Sequence, residues 1–287
     1  MFIITTARVN KLGSGEGIMF GHGSGLVSLV EEPNLVYLPL WHETLAGVEY
    51  LKLKASPVYY GYGIPLGDDS PVIPVPGFLG FDTVMIEMRF WLRRIGYQPF
   101  CSQIGLNAEC PDILAQRLLA TVLDVHAATG RKIHLIGHSL GGMLSRSVAN
   151  QAPDKIASVI TLASPITALR VNPFVNQAMA FVRDYVSIRN NRPQVDCFSQ
   201  SCSCGFPDTI RGGVSPRIPR TAIYTKQDGV VDWQTCRDVD GGVNIEVGGT
   251  HVGMIWNPRV YRIIAEHLWK ARRRKSKKSK PRASSQP

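Results

Sequence analysis

The sequence predicts an α/β protein: a mostly parallel β-sheet with helices on both faces and a small cap insertion. Three observations predict it. Short apolar runs alternate with helix-length amphipathic segments from residue 71 onward. Glycine or proline stands at most of the switches between them. The stretch from Lys132 to Ala152 runs from an apolar strand through a glycine-flanked turn directly into a helix.

Val72 to Pro76 is the first short apolar run, and it ends at Gly77-Phe78-Leu79-Gly80. Asp82 is placed to cap a helix reaching about Ile95, in which Val84, Met85, Met88, Trp91 and Leu92 recur at helical spacing. Gly96 stops it. Tyr97 to Ile104 reads as a second strand. Asp112 to Thr129 reads as a helix with Ile113, Leu114, Leu118, Leu119, Val122 and Val125 on one broad face, and Gly130 follows as a natural residue to leave it. The strand Ile133 to Ile136, a helix over 140–152 and a strand over 156–164 come next. Residues 165–219 break the rhythm with an apolar helical stretch, Phe174 to Ile188, and a loop rich in cysteine and proline. Strands at 221–225 and 243–247 and an amphipathic helix over 258–272 complete the pattern. Alternation of this kind yields parallel strands joined by right-handed crossovers.

The chain has 287 residues, of which 44% are hydrophobic and 19% charged, enough for one large core. Its net charge of +10 is local: Lys270, Arg272, Arg273, Arg274, Lys275, Lys277, Lys278, Lys280 and Arg282 carry nine positive charges in the last eighteen residues. The basicity therefore belongs to an appendage and not to a folded binding face. The organisation expected is a covering segment over 1–70, a main domain over 71–270 with a cap over 165–219, and a disordered polybasic tail over 271–287. Residues 1–70, with a helix expected over Leu45 to Lys54, suggest no chemical task. The N-terminus has no basic leader followed by a long apolar run, and no stretch approaches a membrane span, so a cytoplasmic protein is expected. The tail suits peripheral contact with anionic lipid headgroups at about 1 kcal/mol per basic residue. No aromatic residue follows Trp269, which argues against base stacking and against specific nucleic-acid binding.

The six cysteines leave three readings open. Cys197, Cys202 and Cys204 share a loop, and a bridge from it to Cys236 would pin the cap; a zinc site lacks paired C-x2-C spacing; free thiols suit a cytosolic chain.

The chemistry centres on Gly137-His138-Ser139-Leu140-Gly141, a G-x-S-x-G pattern in a strand–turn–helix context. A nucleophile at the tip of a sharp turn needs neighbours without a Cβ, and Gly137 and Gly141 satisfy that need. The following helix aims its N-terminal N–H groups where negative charge would develop. A serine hydroxyl needs a base, and the base an orienting acid. The order should be serine, acid, histidine, with the later members in loops after strands. Asp228 follows the strand at 221–225 directly; Asp232 is a rival four residues on. Among seven histidines, His22 and His42 lie in the unread N-terminal part, His126 and His267 in helices, and His134 in a strand. His138 flanks the serine and is expected to pack or hydrogen-bond locally. His251, in the loop after the strand at 243–247, alone has the right order. Two backbone N–H donors are needed for an oxyanion. Leu140 is one, and Phe78, after the first strand, is the other; Gly21-His22-Gly23-Ser24-Gly25 is a decoy too far upstream.

The pieces Pro76-Gly77-Phe78-Leu79-Gly80, Gly137-His138-Ser139-Leu140-Gly141-Gly142, Tyr224 to Val231 and Gly249-Thr250-His251 together resemble the α/β-hydrolase superfamily, and within it the lipase/esterase, triacylglycerol-lipase-like group. The resemblance spans about residues 71–270. It implies an α/β-hydrolase fold, a Ser139–Asp228–His251 triad and hydrolysis of carboxylic esters of hydrophobic acyl groups or lipids. It calls for no cofactor and no metal. Pro76 stands where the usual oxyanion loop has histidine, which bears on loop shape, and the first strands of the full fold are not evident in 1–70. Lids of such enzymes commonly occupy the position of 165–219. Val175, Met179, Phe181, Val182, Val186 and Ile188 make that segment apolar enough to cover a substrate groove or to pack as one more core helix. The alternatives for function are an acyltransferase or amidase using the same triad, or a catalytically silent scaffold with a basic anchoring tail.

Overall fold

The computed structural model describes residues 36–190, 205–211 and 213–278. Six strands form one sheet: β1 (Pro71–Val75), β2 (Gln98–Pro99), β3 (Ile133–His138), β4 (Ile156–Leu162), β5 (Arg220–Tyr224) and β6 (Val243–Glu246). Their order is β2-β1-β3-β4-β5-β6, and every pairing is parallel. The helices are α1 (Ala46–Ala55), α2 (Ile86–Arg94), α3 (Pro111–Thr129), α4 (Leu140–Gln151), α5 (Pro173–Arg189), α6 (Phe206–Arg211) and α7 (Pro258–Lys278).

Strand side chains alternate between the two faces, and the core divides accordingly. Val72, Ile136, Ile160 and Ile223 point into one cluster with Leu53 of α1, Trp91 of α2 and Tyr261, Ile264 and Leu268 of α7. Ile73, Val75, Leu135 and Val159 point into the other with Leu118 of α3, Leu144 and Val148 of α4 and Phe206 of α6. Both faces are covered, so the inner strands β1 and β3 are buried along their whole length.

Four local outcomes differ from expectation, and a fifth decides between two readings of α5. The strand expected over Tyr97 to Ile104 is reduced to two paired residues. Pro99 lacks a donor, and the N–H groups of Ser102 and Gln103 turn away to the Asp82 carboxylate at 2.8 and 3.0 Å. That carboxylate is consequently no N-cap, and the segment it opens begins as a 3-10 turn over 82–85. Residues 46–64, expected to cover, help to build the core: Leu53, Val58 and Tyr59 are buried there. The last helix continues through Lys278, into the basic run. Of α5 only Met179 is buried, while Phe174, Phe181, Tyr185 and Ile188 are exposed, so α5 is not one more core helix.

The sheet register aligns the carboxyl ends of the strands. Val75 lies beside Gly137, His138 beside Leu162, Leu162 beside Ile223, and Tyr224 beside Glu246. The loops leaving β1, β3, β5 and β6 therefore emerge along one edge, where open α/β sheets form ligand crevices.

Candidate active site

At the end of β3 the chain turns within one residue. Ser139 has φ 51° and ψ −125°, and α4 starts at Leu140. A positive φ in a residue with a side chain is strained. It persists because the Ser139 N–H donates to the Leu162 carbonyl at 2.8 Å, and the Gly142 N–H to the Ser139 carbonyl at 2.9 Å. The glycines permit the approach: a Cβ on Gly137 would strike the backbone of Gly141 and Gly142. Ser139 itself is half-buried at the tip.

Asp228 and His251 are brought together. Asp228 accepts the Val230 and Val231 N–H groups on Oδ1, each at 2.8 Å, which leaves Oδ2 for His251 Nδ1 at 2.8 Å. Both side chains are almost fully buried. A carboxylate only accepts, so Nδ1 carries the proton and Nε2 keeps its lone pair. Burial works against charging His251, but the Asp228 charge and hydrogen bond, with Glu43 behind them, outweigh it and raise its pKa above the usual histidine value. Asp232, the rival acid, is engaged elsewhere: it caps the turn at 233–236 through the Gln234 N–H and pairs with Arg170 at 2.9 Å.

Among the described residues the Ser139 hydroxyl is not hydrogen-bonded to His251. The neighbour of the serine makes the connection. His138 Nε2 donates to the His251 carbonyl at 2.9 Å, and the two rings lie 5.0 Å apart. Burial, with the nearby His251 charge, drives the His138 pKa down to about 3, so His138 is a neutral spacer between β3 and the histidine loop.

Phe78 follows β1 in a tight turn, Gly77 to Gly80, closed by the Gly80 N–H to the Gly77 carbonyl at 2.9 Å. Asn107 fastens this turn. Its Nδ2 donates to the Pro76 carbonyl at 2.8 Å, its N–H to Gly80, and its carbonyl accepts from Leu79. Gly77 packs against His138 and Ser139, which puts the turn beside the serine. Among the described residues neither the Phe78 N–H nor the Leu140 N–H has a hydrogen-bond acceptor; the second is one of the unpaired donors at the start of α4.

Asn107, Glu43 and Glu49 escape a sequence reading, as does the reach of His138 to the His251 carbonyl. Glu43 lies in a 3-10 turn over 40–45, and its carboxylate accepts the N–H groups of Gly229, His251 and Val252 at 3.0, 3.1 and 2.8 Å. Glu49 on α1 is buried and takes the Thr250 hydroxyl at 2.6 Å; burial raises its pKa against the pull of those Thr250 bonds. The signal that could have pointed to Glu49 is a carboxylate among the apolar positions Ala46 and Leu53. The decoy at Gly21 to Gly25 lies outside the described residues, as do Cys197, Cys202 and Cys204. Cys236 is buried and bridged to no other cysteine among the described residues.

A family model described as alpha/beta hydrolase fold matches residues 115–195. The mature lipase of Bacillus licheniformis superposes with a TM-score of 0.52 at 16% identity, over 72% of this chain and 94% of that one. The chain has the α/β-hydrolase fold. Two curated relatives are similar over part of it. A triacylglycerol lipase of Burkholderia plantarii is 33% identical over 144 residues, 47% of this chain and 40% of that protein. One of Pseudarthrobacter phenanthrenivorans is 35% identical over 118 residues, 38% and 37% of the two chains. The chain thus spans about two fifths of the length of the curated relatives it matches. Ser139 occupies the strand-to-helix turn between β3 and α4 of this fold. Among the described residues no helix is long and apolar enough to cross a membrane.

Proposed function

We propose that the protein is a serine hydrolase that cleaves carboxylic esters of hydrophobic acyl groups. The observation that carries this reading is the strained Ser139 at one end of the sheet, with the buried Asp228–His251 pair at the same end. Ser139 Oγ attacks the ester carbonyl carbon while His251 Nε2 takes its proton, and Asp228 stabilises the imidazolium that forms. The carbonyl oxygen, now an oxyanion, accepts the free N–H groups of Phe78 and Leu140. Collapse of the tetrahedral species breaks the C–O bond, and His251 returns the proton to the departing alkoxide. Water then repeats the sequence on the acyl-enzyme and releases the acid. The missing Ser139–His251 hydrogen bond suits a resting site, in which such contacts tighten only as substrate arrives.

The hydrophobic acyl group is inferred from two features: the printed names of the relatives, and the exposed apolar side chains of α5, which would lie against a greasy substrate as a cap. The basic run on and beyond the end of α7 would add contact with anionic lipid surfaces.

Hydrolysis of p-nitrophenyl esters of graded chain length by wild type and Ser139→Ala tests the reading. Turnover that depends on Ser139 and rises with acyl length supports it. Equal rates for the two proteins on every ester would refute it.

A further inference from the structure

We propose that Glu43 is a positioning residue of this site: its one carboxylate clamps the acid loop to the histidine loop and so holds His251 in register with Asp228. The inference rests on the reading of Asp228 and His251 as acid and base.

Three backbone N–H groups from two loops converge on this carboxylate. Oε1 accepts from Gly229, the residue next to Asp228, and from His251 itself, while Oε2 accepts from Val252. A displacement of Glu43 therefore moves both partners of the buried pair. The approach is close by construction. A Cβ on Gly229 would stand 2.8 Å from the Pro39 carbonyl and 3.1 Å from both Leu40 Cα and Glu43 Oε1. The segment carrying Glu43 is anchored in turn, because Val36 donates to the Val171 carbonyl at 3.1 Å and Asn172 Nδ2 to the Leu38 carbonyl at 2.9 Å.

The charges around His251 can be separated. Asp228 faces it from the loop after β5, Glu43 from the turn at 40–45, His138 from the end of β3, and Glu49 reaches its loop through Thr250. His138 is uncharged, Lys52 acts on Glu49, and Lys226 is paired with Glu246 at 2.9 Å. Asp228 and Glu43 are the two carboxylates that favour the imidazolium. A residue that merely filled space would not change the titration of His251.

The test uses the full chain with Glu43→Gln and Glu43→Asp. The glutamine keeps the shape but turns an N–H toward N–H donors. The account predicts that Glu43→Gln loses about tenfold or more in kcat with little change in KM. The acid limb of its kcat/KM profile should move to lower pH, because a negative charge that favours protonated His251 is gone. The His251 ring resonances in NMR should titrate with the same displacement. Glu43→Asp should restore the wild-type pH profile, though not the full rate. A Glu43→Gln protein with wild-type kcat and titration overturns the proposal. So does one that loses activity only through a lowered melting temperature, with the His251 titration unmoved. If wild-type turnover proves independent of Ser139, the enzymatic reading fails by itself. The NMR titration then decides the role of Glu43, and an unmoved curve overturns it.

Discussion

Asp228 Oδ2 accepts the Nδ1–H of His251 at 2.8 Å, while Asp232, four residues on, serves Arg170 and the Gln234 N–H. The two aspartates flank one short loop and do different work. Asp228→Asn leaves the shape but removes the acceptor that fixes the imidazole tautomer. It should lower kcat by about 10⁴-fold with a modest change in KM. Asp232→Asn should lose less than about tenfold, since it disturbs a cap and a partly exposed ion pair. Steady-state kinetics on a soluble ester separates the two, and equal losses would contradict the assignment of Asp228.

The pH dependence follows from the raised pKa of His251. Burial opposes its charge, yet Asp228 and Glu43 carry the balance above the ordinary 6.5. A general base works deprotonated, so kcat/KM should climb with pH through a midpoint above 6.5. The stability contribution runs the other way. It is fully present below the unfolded-state value near 6.5 and is lost as pH rises through the folded value. The pH–rate profile, and the difference in melting temperature between wild type and His251→Ala across the same range, should therefore slope oppositely.

A buried ion cluster ties α4 and β5 to the loop before β6. Arg146 of α4 and Arg220 of β5 both donate to Asp238 Oδ2, at 2.7 and 2.9 Å, and all three side chains are nearly inaccessible. Asp238→Ala should destabilise the protein by about 3–5 kcal/mol in chemical denaturation, because two buried cations lose a shared carboxylate and keep only Asp240, for Arg146, and backbone carbonyls, for Arg220. Burial alone would raise the Asp238 pKa, but the two arginines bring it down to about 2. Its stabilisation is present above the unfolded value of 3.8 and lost as pH falls toward 2. Melting curves of wild type and Asp238→Asn should converge at the acid end of that window.

Much of the candidate site is legible because its signals are local. The turn at Ser139 needs small neighbours, and those neighbours are adjacent in sequence. Asp228 and His251 follow strands whose apolar pattern reveals them. Glu43 was not legible, because its partners are the backbone N–H groups of Gly229, His251 and Val252. Any residue supplies such groups, so nothing in those positions marks the contact. The short β2 departs from its apolar pattern for a related reason. The Asp82 carboxylate, about twenty positions upstream, claims the N–H groups that a longer strand would have spent on the sheet.

The apolar face of α5 gives a prediction about substrate length. Phe181 is 74% exposed, and Phe174 and Ile188 are similarly open. If these side chains meet the acyl chain, Phe181→Asp should lower the ratio of long-chain to short-chain ester turnover by about tenfold, since burying one phenylalanine contributes about 1.5–3 kcal/mol. Turnover of an acetate ester should stay at the wild-type level. Equal losses on both esters would remove α5 from substrate contact.

The most direct measurement is covalent labelling of the wild-type chain with a fluorophosphonate, followed by mass spectrometry of the peptide spanning β3 and α4. The account predicts a single adduct on Ser139, absent from Ser139→Ala and strongly slowed in His251→Ala. Labelling at another residue, or none in a folded wild-type protein, would contradict it.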